Sequence, residues 1–562
     1  MGGSEVEAPV TAAETPPASH ARPAAPWPRR WAWPLMFAAA GLALFAAYLR
    51  QAHTVPVNSD GGSFALQAWD MLHGNVLLRG WTTADLTFIT TELPQYALVE
   101  LAHGLNADVV PIAGAMSYTL LVLGAALLAR GQAAGREGAV RMLIAGGIML
   151  APSLGIGSHT LLSNSDHTGT QVPLLVIWLI LDRARPCLPG GTTPPDPPAR
   201  AWRVPVLVSV LLAWVQVGDP LALYEGVVPL VIVCAIRAYR RRGSLRENWY
   251  ELSLAAGAIV SAGVAWLALK LIHQLGGFVV RPPSTALADL AHLPSNVWVA
   301  VQSVLVLFGA DFSGQQNGTR IGIAVVHLVG VALAAWAAGR ALRRFGTQDL
   351  VVQVLTVALI LLLVAYVLRG NPNVAGSAHE IAGVLPIGAV LAGRLLAGTL
   401  ARARLLIPAL ALVLGCYAGV LVHNALQRPP YDANRQLAAW LQAHHLTYGL
   451  GDYWNASAIT LDSGNQVQVR YVSRVGDTLM VRPWETKNSW FDQAQHDATF
   501  LVAPGPASVC SPGTPAGWQA AARATFGPPS GIYHVDGFTV LLWHENVLSH
   551  LGTAAMHGPI QC

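Results

Sequence analysis

Charge is what this chain has least of. Only 11% of its 562 residues are Asp, Glu, Lys or Arg, whereas 53% are hydrophobic, and a soluble protein carries roughly a quarter charged residues. Mean hydropathy is +0.45, so a water-soluble globule is excluded. Lysine is almost missing, with Lys270 and Lys487 the only two. The net charge of +4 resides in arginines of short connections, where membrane orientation accounts for it and nucleic acid is not implied as a partner. No Gly-rich loop followed by Lys and Ser/Thr occurs, which argues against nucleotide-driven chemistry. No signal-peptide cleavage pattern precedes the first apolar run, so that run is expected to stay as an anchor. Cysteines number five. Cys510 and Cys562 are expected in an oxidising compartment, where they either pair or remain two thiols.

Long apolar runs are what the chain does have. A bilayer core of about 30 Å needs ~20 apolar residues per helix. The runs predict about eleven spans, near 31–49, 109–129, 141–158, 170–181, 204–218, 221–236, 252–272, 320–339, 350–368, 381–399 and 405–424. Arginines mark every second connection, as in Arg130/Arg136/Arg141, Arg237/Arg240/Arg241/Arg242 and Arg340/Arg343/Arg344. Such loops stay in the cytoplasm. The other connections, and everything after residue 427, are then expected outside. Residues 296–310 are apolar but short, and counting them as a span would put Arg340 outside; they read as an interfacial or re-entrant helix. Residues 1–30 read as a disordered cytoplasmic tail and 31–427 as the transmembrane domain. In 428–562, an amphipathic helix at 431–446 and a second helix at 516–525 mix with β-rich runs at 467–472, 478–482, 499–503 and 538–543. That mixture predicts a small extracytoplasmic α/β domain.

Chemistry is expected on the outer face. The connection 50–108 is far longer than a linker needs, and its stretch 63–72 has helical spacing suited to a membrane surface. Asp60, in VNSDGG, is the first candidate for a general base, followed by Glu92 and Asp85; an Asp before Gly-Gly also serves plain turns. In the next outer loop His159, Asp166 and His167 cluster with irregular spacing, which suits hydrogen bonds to a sugar or phosphate better than a metal ion. No cofactor is expected. Asp219, before Pro220, reads as a turn residue. Arg369, Arg281 and the pair His379–Glu380 are candidates for holding an anionic lipid phosphate, because Arg offers a planar fork of donors; Arg at a helix end also snorkels. Trp454, in Asp452–Asn455, is a candidate to border the same cavity.

An acid-bearing first outer loop, about eleven spans and a C-terminal outer α/β domain together resemble the GT-C glycosyltransferases, and more narrowly their uncharacterised bacterial branch. The resemblance implies a multi-pass enzyme of the bacterial cytoplasmic membrane, with its N-terminus inside and C-terminus outside. It implies transfer of a sugar from a polyprenyl-phosphate donor to a glycan, lipid or protein acceptor, with Asp60 as base. Here Asp60 is followed by Gly61 and Gly62 rather than a second acid. A non-enzymatic scaffold or polymer-assembly subunit is the alternative. A transporter is disfavoured, because the spans hold few ionisable groups besides His327.

Overall fold

The computed structural model describes residues 27–163, 166–184, 202–280, 287–312, 318–370, 372–402, 406–504 and 514–553. Arg281, Cys187, Cys510 and Cys562 lie outside these ranges. The described residues up to Ala43 form one compact unit and those from Leu44 another. In the first unit, helix α1 (Trp27–Ala52) begins, and its Leu35, Met36 and Leu42 are exposed. That exposure of large apolar side chains suits lipid.

The second unit starts with the end of α1 and enters the long connection, which holds α2 (Ser59–Leu72), strand β1 (Trp81–Thr82) and α3 (Leu93–His103). There follow α4 (Val109–Arg130), α5 (Gly135–Ile148), the single turn α6 (Ile156–Ser158), α7 (Thr168–Arg183), α8 (Arg203–Gly218), α9 (Val228–Arg241) and α10 (Trp249–Gln274). Then come α11 (Leu293–Leu307), α12 (Gly318–Arg343), α13 (Leu350–Leu368), the short α14 (Val374–Ser377), α15 (Val384–Arg402) and α16 (Leu406–Ala425). Each expected span overlaps one of these helices. Among the described residues, eight helical stretches are long and apolar enough to cross a bilayer. Seven are expected spans; the eighth, Leu290–Leu307, is the stretch read as an interfacial or re-entrant helix.

Its contacts reach the end of α13. Asn296 donates to the carbonyls of Val367 (2.9 Å) and Arg369 (3.0 Å), and Ser303 meets the Tyr366 hydroxyl at 3.0 Å. Seven residues of α11 thus stay beside one terminal turn of α13. The length of α11 is the correction: a 3₁₀ turn, Leu290–His292, extends it forward.

The four short spans are α5, α7, α8 and α9, of 14, 16, 16 and 14 residues. The helix expected over 141–158 stops at Ile148, since Pro152 biases the residue before it away from helix. Side chains satisfy the carbonyls this frees, as a bilayer demands. Tyr118 donates to Met149 O (2.7 Å), Tyr48 to Leu150 O (2.9 Å), and Gln51 and Asn424 to Pro152 O (2.8 and 2.9 Å). At the opposite, arginine-bearing end, Arg394 is buried rather than solvated. It donates to Asp182 (2.7 Å) and to the Leu128 carbonyl (2.7 Å), tying α15, α7 and α4 together.

The C-terminal part is α/β, as expected. α17 (Ala433–Ala443), β2 (Tyr448–Gly451), α18 (Tyr453–Asp462), β3 (Gln468–Tyr471), β4 (Ser473–Val475), β5 (Thr478–Val481), β6 (Thr486–Lys487), β7 (Phe500–Ala503), α19 (Pro515–Phe526), β8 (Gly531–Val535), β9 (Phe538–Leu542) and β10 (Gly552–Thr553) follow in order. The main sheet runs β3-β2-β7-β9-β8, parallel through its first three strands and antiparallel beyond.

This domain is sewn to the long connection. β1 pairs with β6, and Lys487 bridges Asp70 at 2.9 Å while the Trp81 indole donates to the same carboxylate at 2.7 Å. α2 packs on α18 through small residues, with a Cβ at Gly62 falling 2.8 Å from Ser457 Cβ. α2 is therefore enclosed, with Ser59 and residues 61–68 buried, instead of lying bare on a membrane surface. Gly62→Ala should push the helices apart and cost about 1–3 kcal/mol, read as a lower melting temperature in detergent. Adding Ser457→Gly should recover part of the loss; no recovery would contradict this contact.

Candidate functional site

Asn58 caps α2, its side chain accepting from Gly61 N at 3.0 Å, so Asp60 falls in the first helical turn. An acid is favoured there by the helix dipole. The reading of Asp60 as a turn residue gives way to this, since Asn58 does the capping. Asp452 caps α18 likewise, accepting from Trp454 N at 3.2 Å, and the next residue, Tyr453, reaches across the seam. Its hydroxyl lies 2.5 Å from Asp60 Oδ1 and 2.5 Å from Glu485 Oε2. Glu485 sits between β5 and β6 with φ +48°, a left-handed conformation uncommon outside glycine and enriched where function imposes strain. Desolvation raises the pKa of Asp60, and the Tyr453 hydrogen bond opposes it. Glu485 is pushed up further, first by burial and then by the charge of Asp60.

A second cluster lies at the same end of the helices. His167, just before α7, has φ +59° and donates through Nδ1 to Asp219 Oδ2 at 2.7 Å, both side chains being buried. Burial alone would lower its pKa, but Asp219 overrides this and raises it to about 10. His167 is thus held as a cation. Asp219 also accepts from Leu221 N (2.9 Å), so the expected turn role is present as well. The His167 ring stacks on His379, with centroids 5.5 Å apart, and meets Phe88 edge-on at 5.4 Å. Phe88 is itself left-handed, at φ +48°. Arg369 and Glu380 form an ion pair beside these rings. Asp85 feels the charges of His167, Arg369 and Asp219. Two π-helical turns border the cluster, His159–Ser163 and Leu223–Val227; such turns recur at functional sites. The second carries Glu225, which accepts from Gln171 at 2.5 Å.

Glu92 closes this cluster by capping α7 from outside, accepting from Thr170 N (2.9 Å) and Thr170 Oγ1 (3.2 Å). Gly169 makes the approach feasible, because a Cβ there would stand 2.9 Å from Glu92 Oε1. Burial, and then the charge of Asp219, raise the Glu92 pKa from 4.5 to about 8.

Of the residues expected from sequence, Asp85, Glu92, Asp166, His167, Arg369, His379 and Glu380 come together. Asp60 stands in the neighbouring trio, and Asp166 bridges the two, acting electrostatically on Glu485 and on Glu92 and His167. Trp454 is half-buried with its ring edge-on to Tyr453 at 5.0 Å, so the reach into the site belongs to its neighbour. Glu485 carried no signal in PWET, and Asp219 was read only as a turn. Among the described residues, no three His, Cys, Asp or Glu side chains converge as a metal ion needs.

An acid whose pKa rises on folding binds extra protons in the folded state, so its contribution to stability falls as pH climbs between the unfolded and folded values. Relative to Glu92→Gln, the wild-type melting temperature should therefore decline from pH 4.5 to about 8 and level off above. Parallel melting-temperature profiles for the two proteins would refute a buried, proton-holding Glu92.

No family model matches the sequence, and no curated protein matches it. Solved structures do. ArnT from Cupriavidus metallidurans in the apo state has a TM-score of 0.55 at 14% identity, covering 94% of this chain and 100% of that one. The same protein bound to undecaprenyl phosphate gives 0.53 at 14% identity, covering 93% and 100%. The archaeal oligosaccharyltransferase AglB from Archaeoglobus fulgidus, in complex with an inhibitory peptide and a dolichol-phosphate, gives 0.46 at 13%, covering 85% and 70%, a likeness too slight to build on. With its membrane helices and its C-terminal α/β domain, this chain shares the fold of ArnT from Cupriavidus metallidurans.

Proposed function

We propose that the protein is an inverting glycosyltransferase that moves a sugar from a polyprenyl-phosphate donor to an acceptor hydroxyl at the outer face of a bacterial cytoplasmic membrane. The observation that carries this reading is Asp60, half-buried in the long connection and hydrogen-bonded by a tyrosine of the C-terminal domain, within a GT-C-like fold. The acceptor oxygen attacks the anomeric carbon and its proton passes to Asp60. The bond from that carbon to the phosphate oxygen breaks, and the phosphate keeps the electron pair. A base of this kind works best when its pKa is shifted toward the working pH, as burial does here.

The leaving phosphate needs positive charge in a place where water is scarce. His167, kept cationic by Asp219, and Arg369 supply it, with Glu380 fixing the Arg369 guanidinium and His379 stacking on His167. Asp219 and Glu380, paired with these two cations, offset the positive charge when no donor is bound. Undecaprenyl phosphate, the ligand of the Cupriavidus structure, is the kind of carrier lipid such a donor releases.

The protein in lipid nanodiscs, given synthetic polyprenyl-phosphate hexoses and pentoses with simple glycosides as acceptors, should release polyprenyl phosphate and form glycoside. Asp60→Asn should reduce the rate roughly a hundred- to ten-thousand-fold with expression and membrane insertion intact. Full activity in that variant would remove Asp60 as the base.

A further inference from the structure

The C-terminal domain brings two polar side chains to Asp60, and the proton count among them is restrictive. One phenolic oxygen, that of Tyr453, stands 2.5 Å from a carboxyl oxygen of Asp60 and 2.5 Å from one of Glu485. A phenol has one proton to give. If both carboxyls were ionised, one would press a bare negative oxygen against another acceptor in a site removed from water. The contact closes only if one carboxyl is neutral and donates to the phenol while the phenol donates to the other. Glu485 is the better holder of that proton. It is buried, faces both Asp60 and Asp166, and has no lysine or arginine ion pair among the described residues. The titratable groups facing the trio are Asp166 and, against the ring of Tyr453 at 5.1 Å, Tyr471 of β3.

The backbone pins each member separately. Ser59 of α2 donates to the carbonyl of Tyr453 itself. Glu485 adjoins β6, whose partner β1 belongs to the same connection as Asp60. The strained left-handed φ of Glu485 turns its side chain back toward the seam.

We infer that Tyr453 and Glu485 are positioning residues: a protonated Glu485 donates to the Tyr453 hydroxyl, which donates to Asp60 Oδ1 and orients the carboxylate that receives the acceptor's proton. The role in transfer rests on the function proposed above; the proton arrangement does not. It makes the C-terminal domain part of the reaction centre. The order is Glu485–H to Tyr453–H to the Asp60 carboxylate, and during transfer the proton from the acceptor lands on Asp60 as the sugar–phosphate bond breaks.

Two variants of the full chain in nanodiscs test this, with a synthetic polyprenyl-phosphate hexose as probe. Tyr453→Phe keeps the ring and removes the donor. A hydrogen bond to a charged group is worth about 10- to 100-fold in rate, and kcat should fall by that much with KM little changed. Because the Tyr453 bond lowers the pKa of Asp60, the acid limb of the pH–rate profile should also move to higher pH. Glu485→Gln keeps a neutral donor and should retain activity within about threefold, unlike Asp60→Asn. An unmoved acid limb in Tyr453→Phe, or a Glu485→Gln variant as inactive as Asp60→Asn, would overturn the assignment. Infrared spectra separate this idea from the proposed reaction. At neutral pH the wild type should show a protonated-carboxyl band that Glu485→Gln removes, whether or not any sugar is transferred. Absence of that band overturns the proton arrangement; its presence without transfer leaves the arrangement standing and sinks the glycosyltransferase reading instead.

Discussion

The seam between α2 and α18 carries the rest of the structure. It is built from residues with almost no side chain, Gly62 and Ser63 on one helix and Ser457 and Ala458 on the other, so the two backbones come close. Close approach fixes distance tightly, because packed interiors resist even a methyl group. The β1–β6 pairing and the Lys487–Asp70 bridge then fix rotation about that contact. Given those restraints, Tyr453 and Glu485 meet Asp60 without needing a flexible reach.

Charge economy shapes the rest of the site. Acids outnumber strong cations there, and a buried carboxylate must be paired, hydrogen-bonded or neutralised by a proton. The protein uses each remedy. Asp219 is paired with His167, Arg369 with Glu380, Glu92 accepts from the backbone and hydroxyl of Thr170, and Glu485 holds a proton. Irregular backbone accompanies these solutions: the left-handed Phe88, His167 and Glu485 and the two π-helical turns all border the centre. Strain of this kind persists only where surrounding packing over-determines it.

Much of the fold was legible because membranes impose strong patterns. Apolar runs located every expected helix, and the β-rich runs at 467–472, 478–482, 499–503 and 538–543 correspond to β3, β5, β7 and β9. β2 escaped notice because YGLG has poor strand character; Gly449 is there to clear the ring of Phe500. β8 has its sequence signal in the turn beside it, Asp536-Gly537, both at positive φ. Helix α5 was overextended because its hydropathy continues past Ile148, while the backbone leaves the helix and is satisfied by Tyr48, Gln51, Tyr118 and Asn424 from distant positions.

Composition and periodicity by themselves settled that the chain is a multi-pass membrane protein with a C-terminal α/β domain, and they singled out Asp60, Glu92, His167 and Arg369 as polar residues worth explaining. Those are local or statistical properties, readable one segment at a time. Only the tertiary structure decided which polar residues share a centre. Tyr453 and Asp60 are nearly 400 positions apart, and the pairing of Asp219 with His167 spans two helices. Nothing in either segment announces its partner, because such contacts are set by packing, which depends on the whole set of neighbours at once.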